Sequence, residues 1–237
     1  MTLRELLCWL KNYLRIVLIV LCFPLQLTAM WNVPLPTMGG KQVWADEQVR
    51  GGWRIQRNVL TGHWRLLDHR DIRREWGSHA QCEAALARYV KAGKIPPSKQ
   101  DVVILLHGLW RAKECMKCFD REFQKQGYET VSVNYPSYCQ KLDQQAEHLN
   151  DVIEHLEGAR NISIVSHSMG GIVARAYLAK HHDPRIKRMV MIAPPNHGSG
   201  MADVLKKLGI VRLGWGVAAS QMCTKQCGGI VDQYPEP

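Results

Sequence analysis

The clearest pattern along the chain is a set of short apolar runs, at 102–106, 130–134, 161–165 and 188–193, which alternate with stretches of helical spacing. Val102 to Leu106 is uninterrupted by polar residues, as a strand covered on both faces requires. Between the first two runs, Met116, Phe119 and Phe123 recur at helical spacing within Lys113 to Gln126, and Gly127 offers a stop. Leu142, Ala146, Leu149, Ile153 and Leu156 make a second stripe, and Gly170 to Lys180 is a third helical stretch. Strands alternating with helices predict a doubly wound, mostly parallel α/β sheet over residues 101–237.

Residues 37–100 have another character. Trp53 to Asp68 holds two alternating runs around Thr61-Gly62, which predicts a hairpin, and Ser78 with Gln81 forms a capping box for a helix over Ala80 to Ala92. Gly93 and Pro96-Pro97 end it. This stretch is expected to pack on the core as an extension contributing edge strands. Arg65, Arg70, Arg73 and Arg74, interspersed with Asp68, Asp71 and Glu75, are expected to form a solvated ion-paired face.

Residues 1–36 carry a third signal. Ile16 to Pro36 lacks charge entirely and follows Arg4, Lys11 and Arg15. The length matches the roughly 20 residues of a membrane helix. An uncleaved anchor places the rest of the chain on the outer, periplasmic or extracytoplasmic side by the positive-inside rule; the alternative is a signal peptide and secretion. With that placement Cys82, Cys115, Cys118, Cys139, Cys223 and Cys227 read as disulfides or free structural thiols, with a four-thiolate zinc site and a redox pair as lesser readings.

The chemistry sits where the strands end. Residues 161–171, NISIVSHSMGG, read as a strand turning sharply at Ser168 into a helix, with Ser166 and Gly170 as the small residues that such a turn demands. A serine that merely caps a helix is the bland alternative. The run 101–109, DVVILLHGL, ends in His107-Gly108, where a strand of this type supplies an oxyanion-stabilising amide. By position the two donors are the N–H groups of Leu109 and Met169. His107 itself reads as a turn residue rather than a base.

On LLHGL (105–109), VNYPS (133–137), SHSMGG (166–171) and MIAPPNHGS (191–199), the chain resembles the α/β-hydrolase esterases and lipases, especially the bacterial membrane-associated or secreted lipase-like group. The resemblance covers about residues 100–220. It implies a serine nucleophile and hydrolysis of a carboxylic ester of a lipid or small alcohol, with no cofactor and no metal. It also implies a serine, acid, histidine order, and here the pattern breaks. After Ser168 come only His181, His182 and His197 with Asp183, Asp203, Asp232 and Glu236. His197 lies in a turn that the resemblance assigns to the pocket wall, so it is at most a substitute base, expected to stay away from Ser168 with no carboxylate orienting it. The expected fold is therefore an α/β-hydrolase-like sheet, C-terminally incomplete, behind an N-terminal membrane helix.

Two functions follow. One is an esterase or lipase acting through Ser168; the other is a catalytically impaired or non-catalytic membrane-tethered relative. The net charge of +10 suits an anionic surface, but no motif or repeat points to nucleic acid.

Overall fold

The computed structural model describes residue 32 and residues 34–40, 42–207 and 216–235. Most of the expected anchor, residues 1–31 and 33, lies outside them. Among the described residues no helix is long and apolar enough to cross a membrane.

The first unit is an antiparallel sheet with its own helix. Strands β1 (Leu35–Pro36), β2 (Trp44–Arg50), β3 (Trp53–Asn58), β4 (Trp64–Leu67) and β5 (Ile72–Gly77) pair in the order β1-β5-β4-β3-β2. The segment that follows, α1 (His79–Lys91), is capped by Ser78, whose hydroxyl accepts from the Gln81 N–H while the Gln81 side chain accepts from the Ser78 N–H. On one face Trp53, Ile55 and Leu66 meet Cys82, Ala85 and Leu86 of α1. None of its strands pairs with a strand of the parallel sheet, so the expectation that it lends edge strands to the core is corrected.

The second unit runs β6 (Asp101–Leu106), α2 (Lys117–Lys125), β7 (Glu129–Val133), α3 (Leu142–Glu154), β8 (Asn161–His167), α4 (Met169–Lys180) and β9 (Ile186–Ile192). Its four strands are all parallel, in the order β7-β6-β8-β9. Alternate residues of β6 face opposite ways: Val102, Ile104 and Leu106 join the core made with α3 and α4, while Val103 and Leu105 meet Met116 and Phe123 on the α2 side. The α2 stripe is narrower than its spacing suggested. A 3-10 turn over Lys113–Met116 precedes the helix and rotates its register, leaving Phe119 37% exposed.

Beyond β9 come α5 (Gly200–Lys207) and α6 (Gly216–Gln221). Ala218, Met222, Val231 and Tyr234 enter the core shared with α3 and α4, so this segment covers a helical face rather than the sheet edge.

The two sheets meet through polar groups. Asp46 on β2 is wholly buried; its carboxylate accepts from Arg54 (2.5 Å), from the Gln56 amide (2.7 Å) and from the Asn134 N–H (2.7 Å). Its own N–H donates to the Asn134 carbonyl at 2.8 Å, and Asn134 immediately follows β7. Gln56 Oε1 in turn accepts two bonds from Arg65, which lies over the Trp44 ring at 3.8 Å. Arg65 and Arg73 are thus buried, 5% and 7% exposed, and the expected solvated arginine face is half wrong. Tryptophan rings cover the two guanidinium groups, a cation–π arrangement that strand alternation alone does not reveal.

Removing one partner of a buried ion pair strands the other without solvent. Asp46→Ala should therefore lower unfolding free energy by about 3–5 kcal/mol in urea titration, whereas Asp46→Asn, which retains acceptor geometry, should cost less.

Candidate active site

The strand order places the chain's reversal of direction between β6 and β8: β7 is added on one side of β6, then β8 on the other. At the carboxyl ends of strands flanking such a switch point, the diverging connections leave a crevice. His107-Gly108 ends β6 and Ser168 ends β8, so the two motifs lie side by side.

Ser168 has φ 55° and ψ −124°, a left-handed backbone that a non-glycine residue adopts at a cost of about 1–3 kcal/mol. Its N–H donates to the Ile192 carbonyl (2.8 Å) and its carbonyl accepts from Gly171 (3.0 Å), which fixes the turn from both sides. The hydroxyl caps nothing. Half-exposed, Ser168 Oγ has no hydrogen-bond partner among the described residues.

The small neighbours have measurable reasons. A Cβ on Gly170 would stand 2.8 Å from the carbonyl oxygens of Leu106 and His107, so α4 can approach β6 only with glycine there. A Cβ on Gly108 would stand 3.1 Å from the Ser168 Cβ, which shows how closely the two turns are pressed together. Ser166 is fully buried, its hydroxyl donating to the Val190 carbonyl at 3.3 Å.

The turn after β6 is held from β7. His107 is buried and stacks on Tyr135 with ring centroids 4.1 Å apart; the Tyr135 hydroxyl donates to the His107 carbonyl. The His107 Nδ1–H donates to the Gly108 carbonyl (2.9 Å), and Nε2 is buried without a partner. Ser137 Oγ accepts from the Trp110 N–H at 3.0 Å. Tyr135 and Ser137 are positioning residues; the VNYPS segment that carries them stands out in the sequence and Tyr135 is expected at the strand ends, but their positioning role is visible only in the structure. With Trp110 so engaged, the N–H of Leu109 has no hydrogen-bond partner among the described residues, nor has that of Met169, which opens α4. Two unpaired N–H groups beside a strained serine, at the positive end of a helix dipole, form an arrangement able to stabilise a developing oxyanion.

His197 is placed elsewhere. It occupies the turn after β9, 80% exposed, with Nδ1 3.3 Å from Asp232 Oδ1, and makes no hydrogen bond to Ser168. The expectation that no carboxylate would orient its ring is corrected: Asp232 arrives from far along the chain. Arg175 brings the two segments together. Only 1% exposed, it donates to the carbonyls of Asn196 (3.1 Å), Tyr234 (2.5 Å) and Pro235 (2.9 Å) and reaches Val231 O at 3.4 Å. An arginine on the otherwise apolar α4 was the signal available for it.

The six described cysteines are all free thiols, Cys82 and Cys223 buried, and Cys115, Cys118, Cys223 and Cys227 form no four-thiolate cluster. A cleft of about 630 Å³ lies between the two units, lined by Arg54, Lys113, Lys117, Asp120 and Glu129, and includes none of the residues at the elbow.

Residues 101–208 match the family described as alpha/beta hydrolase fold. Among solved structures the chain is similar to a mature lipase from Bacillus licheniformis, at 21% identity and a TM-score of 0.46 over 59% of this chain and 60% of that one. It is also similar to an esterase from Exiguobacterium antarcticum (20% identity, TM-score 0.41, 47% of each chain). A monoacylglycerol lipase from Paleococcus ferrophilus gives 19% identity and 0.40 over 49% of this chain and 50% of that one. The chain thus spans about half to three fifths of the length of these proteins. No curated protein matches it in sequence.

Burial pushes the His107 imidazole down to about 4 from 6.5. Between those values the unfolded chain binds a proton that the folded chain refuses, so this group favours unfolding increasingly as pH falls from 6.5 towards 4. Over that window it should remove about 3 kcal/mol of stability. Urea titrations at several pH values should show a shallower acid decline in His107→Phe than in the parent; identical slopes would assign the decline to other groups.

Proposed function

Because residues 101–208 belong to the α/β-hydrolase fold, we propose that this chain is a serine hydrolase of carboxylic esters, with Ser168 as nucleophile and the N–H groups of Leu109 and Met169 as oxyanion donors. The observation that carries the reading is the strained, uncapped Ser168 at the switch point. Its Oγ attacks the ester carbonyl, and the oxygen that gains charge sits between the two amides. Collapse of the tetrahedral species expels the alcohol and leaves an acyl group on Ser168, which water then removes. Attack also requires that the hydroxyl proton leave, and no imidazole lies within hydrogen-bond reach of Ser168 among the described residues. The chain by itself is therefore expected to be a slow esterase, with turnover resting on the oxyanion donors and on strain at the serine.

A second reading makes His197 the base, favoured by the carboxylate of Asp232 facing its Nδ1. That pairing is how a catalytic imidazole is oriented, although it requires the exposed ring to move onto Ser168.

Fluorophosphonate labelling and p-nitrophenyl ester hydrolysis separate these cases. Labelling should be lost in Ser168→Ala, and undiminished labelling there sinks the assignment. In His197→Ala the ester rate should remain within about threefold of the parent, whereas a loss nearer 10⁴-fold would establish the second reading.

The same proposal places the hydrolase unit on the outer side of a membrane, tethered by residues 1–36, which supports an ester or lipid substrate met at that surface. The uncharged stretch from Ile16 to Pro36 behind Arg4, Lys11 and Arg15 supports the tether. In membrane fractionation the intact chain should pellet and a chain starting at Thr37 should not; a full-length soluble chain contradicts the tether.

A further inference from the structure

Away from the elbow, where the antiparallel sheet lies against the parallel unit, three metal-ligating side chains converge. Glu47 is the extra residue of a β-bulge: Asp46 pairs with Gln56 and Gln48 with Ile55, leaving Glu47 unpaired. A bulge re-aims a side chain, and this one faces α3. Val49, two residues on, packs in the same core as Leu149 and Val152 of that helix. His148 and Asp151 stand three residues apart on α3 and therefore share one of its faces. One ligand atom from each of Glu47, His148 and Asp151 lies within 4.8 Å of the others, and no other such group occurs among the described residues.

A second observation separates this trio from an ordinary patch of carboxylates. His148 is only 8% exposed, and its Nδ1 is shut off from solvent without a hydrogen-bond partner. Asp151 Oδ2 lies 3.9 Å from it, beyond hydrogen-bond reach. A buried ring nitrogen is normally satisfied, so one left open beside Asp151, in a residue that converges with two carboxylates, calls for a ligand between them.

We propose that Glu47, His148 and Asp151 form a divalent-cation site able to hold Zn²⁺, which joins β2 to α3. One imidazole and two carboxylates supply the nitrogen and oxygen donors that Zn²⁺ accepts, and water completes a four-coordinate shell. Bonds of about 2.0–2.2 Å put tetrahedral ligand atoms roughly 3.3–3.6 Å apart, so the side chains close by about 1 Å through side-chain rotation. The surroundings are mixed. Glu147 and Glu154 add negative charge; His155 and Arg57 oppose it, Arg57 being held over the Trp64 ring at 5.6 Å. Arg57 is the internal rival of the metal, able to neutralise Glu47 when no ion is bound. Such an ion acts as a cross-link between the two units and takes no part in chemistry at Ser168.

The test is Zn²⁺ titration by calorimetry of the purified full chain, with its free thiols blocked by alkylation so that they do not compete. Thermal unfolding is followed in parallel with and without a chelator. One equivalent should bind, raise the melting temperature, and be lost to the chelator. Glu47→Gln and Asp151→Asn each remove one oxygen donor while keeping shape, and each should weaken uptake by roughly 100-fold or more and abolish the thermal shift. Asp151 is partly exposed, so its variant remains informative if the Glu47 variant folds poorly. Less than one equivalent bound by the thiol-blocked parent, or parent-like uptake in both variants, overturns the site.

Discussion

Asp46 is the most deeply buried charge at the junction of the two halves of this molecule, and the geometry at the serine depends on it at some remove. Asp46 holds Arg54 and Gln56 on its own sheet and the Asn134 N–H on the other. Asn134 opens the segment whose next residue, Tyr135, stacks on His107, and whose Ser137 engages Trp110. The turn that leaves the Leu109 N–H unpaired is thereby braced from a residue on the antiparallel sheet. A charge out of water is tolerable only while all its partners are in place, so the brace is all-or-none rather than graded.

The same logic explains which features were legible in the sequence. Strand β6 announces itself because burial on both faces forces an uninterrupted apolar run, β8 through Ile162, Ile164 and Val165, and the Ser78-Gln81 cap because it is local. Ser168 and His107-Gly108 are legible because close approach of backbones leaves room only for small residues, as the 2.8 Å contacts at Gly170 quantify. What was not legible depends on partners distant in sequence. Asp46 and Arg54 look like surface residues until β7 is set against them. Arg65 and Arg73 read as a solvated face because nothing local marks the tryptophans that cover them, and Glu47 looks like an ordinary strand residue until pairing reveals the bulge. The pairing of His197 with Asp232 was missed for the same reason: each is unremarkable alone, and the groups that assemble them are mostly backbone carbonyls, of 196, 231, 234 and 235, around Arg175.

Two devices hold the serine in its strained backbone, and they differ in kind. Below it, glycine at 170 and 108 permits contact by omission. Around it, hydrogen bonds from Ser168 N–H to Ile192 and from Gly171 to Ser168 impose the angle. Permission without imposition would give a mobile turn, and imposition without permission would give a clash. The free hydroxyl and the two free amides remain while the other backbone groups of Ser168 are satisfied by Ile192 and Gly171.

Arg175 has a bearing on the order in which the chain can settle during synthesis. Its guanidinium lies on the very helix that begins at Ser168, yet three of the carbonyls it contacts belong to residues 231, 234 and 235. Until those residues have been made, their carbonyls are missing and water must satisfy the guanidinium in their place. One side of that helix is thus closed only by residues some sixty positions further on, whereas the bonds that set the serine's own backbone, to Ile192 and Gly171, come from chain made well before them.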